Sequence, residues 1–426
     1  ASYTYDDKYV LSGSIRWDRS NLWGTNSKYQ NKPLWSVGGS WNIYKEKFFQ
    51  ADFVDMLKLR ASYGIGGNIG RNTAPYLIAS YYDSSLVDGM AGSVNTPPNK
   101  DIRWEKTTTV NVGVDFALFR HRLSGTIEYY NKYSVDLLAA INGSPTQGFG
   151  YTTLMTNNGK MVNRGVEITL SGEIIRQKDF SWNASLLYAF NRNKVKHISV
   201  QPSLWDSRIS MPTSYPMVGK PLYGIYAYKW AGLNENGDPQ VYDAENNVTS
   251  GPARDYHALV YCGTTVPIHN ASLTNVLRYK GFEFSAMLIL DAGHKLRSSN
   301  IPSINMSNGR ITSTAKGIVD RWTQPGDVTD VPRLLFSNDT ENFNTHRTEL
   351  YRYSDLFVYD ASNIRLSNIS LAYRVPAHWC KKISLSGARL QFNVENVATF
   401  AFDSKANYDL GGKVKPNYVW GLYLNF

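Results

Sequence analysis

Strict alternation of apolar and polar residues, repeated in one segment after another, is the feature that most limits what this chain can fold into. In the last segment, Tyr418, Trp420, Leu422, Leu424 and Phe426 fall on one face, with Val419, Gly421, Tyr423 and Asn425 on the other. Phe180, Trp182, Ala184, Leu186, Tyr188 and Phe190 alternate with Ser181, Asn183 and Ser185 in the same way, and Val110, Val112, Val114 and Phe116 alternate with Asn111, Gly113 and Asp115. A period of two means extended strand with two unlike faces. The spacing predicts strands near 8–17, 34–44, 57–66, 104–118, 122–135, 161–174, 180–193, 221–231, 267–279, 281–291, 363–374, 387–397 and 416–426, with Ser2–Tyr5 as the tail of one more. Most of them match the length of about 9–11 residues with which a tilted strand crosses a bilayer. Helical periodicity is absent over any window longer than two turns.

Composition narrows the choice. Charged residues make up 19% of the 426 and aromatics 13%, too apolar and too aromatic for a disordered chain. Mean hydropathy is nevertheless −0.36, and no run approaches the ~18 apolar residues of a membrane helix. A large soluble β-protein and a membrane β-barrel remain. The net charge of +10 is scattered, where a nucleic-acid binder would gather it on one face. Cys262 and Cys380 are far apart and make neither a disulfide framework nor a CxxC site. No two of the seven His are closely spaced, which speaks against a zinc site. There is no GxSxG, and Gly64-Ile65-Gly66-Gly67 opens no helix that could cradle a phosphate. Neither an enzyme nor a cofactor or metal is expected.

Loop lengths favour the barrel. Short connections at Asp6–Lys8, Phe119–Arg122, Ile175–Asp179 and Tyr279–Gly281 contrast with long ones at 68–103, 136–160, 194–220, 292–362 and 398–415. Outer-membrane barrels sort their loops in this way, short on the periplasmic side and long outside. Trp17, Trp23, Trp35, Trp41, Trp104 and Trp230 stand at strand ends, where an interfacial girdle would place them. Alternating the crossing direction along the chain works from both ends, but the two counts clash around 232–266. Adding Asp238–Asp243 as a missed strand reconciles them and makes about fifteen strands.

Several ordered motifs then carry a resemblance. LKLRASYGIGGN (Leu57–Asn68), DIRWEKTTTVNVGVDFALFRHRLSGTIEYYNKYSVDLL (Asp101–Leu138), NNGKMVNRGVEITL (Asn157–Leu170) and GKPLYGIYAYKWAGLNENGDP (Gly219–Pro239) occur in that order. DRWTQPGDVTDVPRL (Asp320–Leu334) and the stretch Ala361–Phe400 follow. Together they resemble the SusC-like TonB-dependent transporters of Bacteroidota outer membranes, over essentially all of 1–426. The resemblance implies an all-β fold, a transmembrane antiparallel β-barrel, of which this chain is the C-terminal portion. Barrels of this class have about 22 strands around a plugged lumen. It also implies location in the cell outer membrane as a multi-pass protein in outer-membrane lipid. The expected function is TonB-dependent uptake of oligosaccharides with a SusD-like surface lipoprotein as lid. Energy would come from a TonB-ExbB-ExbD complex through an N-terminal part, with signal, TonB box, plug and first strands, that does not precede Ala1 here. Import of oligopeptides is the main rival, and a dimer of transporter–lipoprotein pairs is the implied assembly. A non-transporting barrel adhesin or passive pore, or a soluble β-rich binding protein, are the readings of other classes.

Three sets of residues are singled out. Tyr418, Trp420, Leu422, Leu424 and Phe426 resemble the C-terminal signal read by the barrel-assembly machinery; the plainer alternative is an edge strand, exposed to aggregation in a soluble protein. Tyr81, Tyr82, Asp83, Trp205, Asp206 and Arg208, and Phe343 with His346 and Arg347, group aromatics with polar side chains in long loops, suited to a glycan or peptide but equally to packing or a partner surface. Asn234–Asp238 is rich in oxygen ligands, yet it lacks the first-position Asp and the bidentate Glu of a calcium loop and reads more simply as a hairpin turn. The alternation places Lys58, Arg60, Asn111, Asp115, Glu167, Asn183, Asn191 and Glu283 toward a lumen.

Overall fold

The computed structural model describes residues 1–18, 26, 33–70, 75–85, 89–143, 146, 153–200, 207–251, 255–306, 314–336, 345–410 and 415–426. Thirteen strands form one antiparallel sheet, the wall, in strictly sequential order. They are β1 Ser2–Tyr5, β2 Tyr9–Arg16, β3 Leu34–Asn42, β4 Val54–Asn68, β5 Glu105–Leu118, β6 Leu123–Asn142, β7 Thr153–Arg176, β8 Phe180–His197, β9 His269–Tyr279, β10 Phe282–Ala292, β11 Asn363–Arg374, β12 Gly387–Ala401 and β13 Asn417–Asn425. Among the described residues β1 and β13 do not pair with each other, so the wall is open along two edges.

Tight turns lie at one end of the wall. Asp6 and Asp7 have φ of 50° and 51°, and Phe119, Arg120 and His121 are likewise left-handed; positive φ at successive turn positions matches the twist of the strands it joins. The longest connections, between β4 and β5, β8 and β9, and β10 and β11, leave from the other end. Two of them, between β8 and β9 and between β10 and β11, come together through their described residues as a single loop body.

Because residues directly opposite on paired strands share a face, the register fixes the phase. Arg60 faces Gly113, which faces Glu128, then Glu167, Ala189, Asn270 and Asp291 in one continuous row. Lys58 faces Asp115 and Ser62 faces Asn111. This inner face thus carries all eight residues expected there. The outer face carries Leu59, Val112, Ile127, Leu371, Leu390 and Leu422, all exposed. Aromatics border it at both ends: Phe53 stacks on Phe119 at 5.9 Å near the tight turns, and Trp35 meets Tyr63 at 5.5 Å near the long loops. At the last strand, Tyr418, Trp420, Leu422 and Leu424 lie on this outer face, with Trp420 against Phe392 at 4.2 Å. Phe426 follows one residue beyond β13, and its carbonyl accepts from the Ser386 hydroxyl.

Three expectations need correction. Segment 221–231 is not a wall strand. It divides into Gly224–Tyr228, buried at every residue, and Trp230–Leu233, and these pair with Leu259–Thr264 and Pro239–Tyr242 inside the loop body. The crossing clash is resolved by removing 221–231 from the wall rather than by adding 238–243 to it, giving thirteen strands rather than about fifteen. Second, 136–160 is mostly strand, because β6 runs to Asn142 and β7 starts at Thr153. The alternation there changes phase at a bulge, where Asp136 takes φ 58° and its carbonyl accepts from the Asn157 side chain. Third, Trp230 is not in a girdle: its ring lies 5.9 Å from Tyr351 and its indole N–H donates to Asp330. Trp23 lies outside the described residues.

An arginine placed at Leu422, midway along the outer face of β13, should cost about 2–4 kcal/mol if that face meets hydrocarbon. Ser285→Arg, on the inner face of β10, should cost far less. The heat needed to convert the full-length protein from its folded to its unfolded band on a gel measures both, and equal effects would count against the assignment of faces.

Candidate functional site

The inner face is built for contact with water or a polar surface. Its side chains are mostly Ser, Thr, Asn and Gly, among which two ionic clusters stand out. Arg60 Nε donates to Asp115 at 3.1 Å and its Nη2 donates to Glu128, while Thr126 and Asn111 donate to the same two carboxylates. Nearer the tight turns, Arg278 and Arg389 donate to Glu283 at 2.7 and 3.0 Å. Between them Tyr130 lies flat across Gly165, where a Cβ would sit 2.4 Å from the ring, and the Tyr130 hydroxyl accepts from Asn191 at 2.6 Å. The glycine of NRGVE is therefore where an aromatic crosses the neighbouring strand, which gives that motif a packing reason.

Above the wall, the loop body has the fold's main apolar core. Tyr226, Tyr228, Val241, Leu259 and Leu350 form one buried cluster, and Ile304, Tyr351 and Phe357 a second. The two insertions are joined by main-chain and ionic bonds. Tyr228 N–H donates to the Tyr353 carbonyl, Arg297 donates to the Tyr226 carbonyl at 2.7 Å, and Trp230 N–H donates to Asp355. Asp238 accepts from Arg333 through both oxygens, at 3.1 and 2.9 Å, and from Arg347 at 2.7 Å. Burial lowers the pKa of the Arg347 guanidinium, which is 3% exposed, and Asp238 opposes that shift. Trp322 lies over Gly237, whose φ of +73° and whose missing Cβ admit the indole. GLNENGDP and DRWTQPGDVTDVPR, remote in sequence, thus meet in one turn. Asn234 Oδ1 accepts from the backbone N–H groups of Asn236 and Asp238 at 2.9 Å each. Asn234 Oδ1 and the Asp238 carboxylate are thus engaged by the protein itself, in the geometry of a hairpin turn.

The expected ligand residues are dispersed. Tyr81, Tyr82 and Asp83 lie on Ile78–Ser84, a strand of a separate hairpin with Gly89–Thr96, and Tyr81 is 72% exposed. Arg208 is inside the loop body, covered by the rings of Tyr256 and Tyr226 at 4.8 and 5.9 Å and donating to the Tyr215 carbonyl. Burial lowers its pKa. This is a packed guanidinium, not a free ligand contact. Arg347 is likewise engaged by Asp238, and His346 by Glu349. Trp205, Asp206 and Phe343 lie outside the described residues. A groove of about 350 Å³ opens between Leu137–Ala140 of β6, Met155 and Gly159–Met161 of β7, Val195 and His197 of β8, and Thr213, Ser214 and Pro216 of the loop body. Sequence reading missed it because β6 and β7 were ended too early to form its sides.

Comparisons with known proteins agree with this architecture. Residues 1–397 match the family model described as TonB dependent receptor-like, beta-barrel. TonB-dependent receptor P3 of Formosa agariphila is 27% identical over 449 aligned residues, covering 99% of this chain and 43% of the relative. TonB-dependent receptor SusC of Bacteroides thetaiotaomicron is 25% identical, covering 93% of this chain and 39% of that protein. The chain thus spans less than half the length of these relatives. Among solved structures, the RagAB peptide transporter superposes with a TM-score of 0.80 at 23% identity, over 100% of this chain and 47% of that one.

Proposed function

Because this chain belongs to the TonB dependent receptor-like β-barrel family, we propose that it forms the C-terminal part of the barrel of an outer-membrane importer. Its cargo is an oligosaccharide, taken up with a SusD-like surface lipoprotein and driven through TonB. The observation that carries this reading is the two-faced wall. One face has continuous polar rows with the Arg60 and Glu283 clusters, and the other is apolar between aromatic borders. Such a wall separates an aqueous conduit from lipid. The loop body stands at the end where cargo and a lid protein would arrive, and the motif resemblance to SusC-like transporters implies a glycan. Likeness to a peptide transporter keeps oligopeptide import as the second reading. Tyr418, Trp420, Leu422, Leu424 and Phe426, at the open edge of β13, suit an assembly signal. The same reading includes a dimer of transporter–lipoprotein pairs.

Purification of the full-length protein from outer membranes in mild detergent, followed by mass spectrometry of the chains and small molecules that travel with it, tests this. A co-purifying lipoprotein with bound oligosaccharide is the expected result, and bound peptide would transfer the conclusion to the second reading. Recovery of a lone protein that needs no detergent would overturn both.

A further inference from the structure

Arg60, Arg278 and Arg389 of the inner face are paired with acids, but two arginines of the outer face are not. Arg164 of β7 stands directly opposite Arg192 of β8 in the pairing register, and Lys194 follows two positions along the same face. Like charges directly opposite on neighbouring strands repel and destabilise the pair. Arg164 Nε donates to Asn131 of β6 at 2.9 Å, and among the described residues none of the three basic groups has an acidic partner. Arg164, Arg192 and Lys194 are all exposed.

Their depth is set by the register. From Arg164 down β7 to Ile174 is eleven residues, as it is from Arg192 down β8 to Trp182 (174 − 164 + 1 and 192 − 182 + 1). A tilted crossing takes about 9–11 residues, so the cluster stands at the membrane boundary next to the long loops. Just below it one outer-face row reads Tyr129, Val166, Phe190, His269, and Phe190 packs against His269 at 5.3 Å. Ile168 and Leu170 continue the apolar track. Just above, Lys220 lies 4.8 Å over the Tyr261 ring. Farther round the wall the outer face near the long loops is different, with Ile364 and Phe400 in place of charges.

We infer that Arg164, Arg192 and Lys194 form a binding site for the phosphorylated headgroup of an outer-leaflet lipid. A phosphate between the two guanidiniums turns a repulsive pair into charge-assisted hydrogen bonds, and the acyl chains follow Val166, Ile168 and Leu170 downward. This rests on the outer-membrane placement proposed above.

The test uses the full-length protein in neutral detergent, titrated with diphosphorylated lipid A and with its dephosphorylated counterpart, with bound lipid counted by native mass spectrometry. The wild type is expected to prefer the phosphorylated lipid by about tenfold or more. R164Q/R192Q/K194Q should abolish that preference without lowering the heat needed to unfold the barrel, whereas R164K/R192K should keep most of it. Equal preference in wild type and triple variant overturns the inference. So does displacement of the lipid by millimolar inorganic phosphate, which would make this a site for free anions. A protein that never enters the membrane fraction overturns the placement as well.

Discussion

Replacing Asp238 by alanine should release the loop body from its own core while leaving the wall folded. Arg347 is 3% exposed and reaches Asp238 at 2.7 Å, with Arg333 on the same carboxylate. Removing one partner of a buried ion pair leaves a charge without compensation, at a cost of about 3–5 kcal/mol. Limited proteolysis of the full-length protein in detergent should then cut within 207–268 and 314–362 at least tenfold faster, a small part of what about 3 kcal/mol allows. The gel mobility of the folded barrel should hold. Adding Arg347→Leu to the Asp238→Ala protein should restore part of the protection, because the stranded charge is gone. An unchanged digestion pattern in Asp238→Ala would show that the cluster does not hold the two insertions together.

Gly165→Ala should damage the wall itself. The added Cβ would lie 2.4 Å from the Tyr130 ring and 2.6 Å from the Phe190 carbonyl oxygen. Either Tyr130 turns away and loses its hydrogen bond from Asn191, or β7 and β8 separate. Overpacking of this kind costs about 1–3 kcal/mol, and it falls within the long pairing of β7 with β8. The temperature at which the folded gel band disappears should drop clearly. Tyr130→Ala in the same protein should recover some of the loss but not all, since the carbonyl contact stays. If Gly165→Ala melts like the wild type, the close approach of Tyr130 has no energetic weight.

What the sequence made legible follows from the range over which each signal acts. A strand with one face toward water and one toward lipid declares itself residue by residue, which is why twelve alternating segments and the Ser2–Tyr5 stub correspond to β1–β13. The same local signal cannot tell a wall strand from a short strand in a loop, and Gly224–Tyr228 was misplaced for that reason. Bulges defeat it differently. At Asp136 and at Asn396, both with positive φ, the alternation slips by a residue and strands look shorter than they are. The site was harder still. Asp238, Arg333 and Arg347 meet only through tertiary folding, and nothing in the sequence around Arg208 distinguishes a guanidinium stacked under Tyr256 from one awaiting a ligand.

Each long insertion leaves the wall and returns to it between neighbouring strands. The first leaves from β8 and returns at β9, where Phe190 faces His269, and the second leaves from β10 and returns at β11, where Asp291 faces Asn363. To the wall, each is a pendant that hydrogen-bonded neighbours hold at a single gate, the arrangement in which insertions and exchanges are best tolerated. To each other the two are halves of one body. Recombination that moved only one of them between transporters would carry Asp238 away from Arg333 and Arg347 and leave unmatched charges behind. The loop body is thus a heritable unit of two separated cassettes that must travel together, fitted to a wall that need not change.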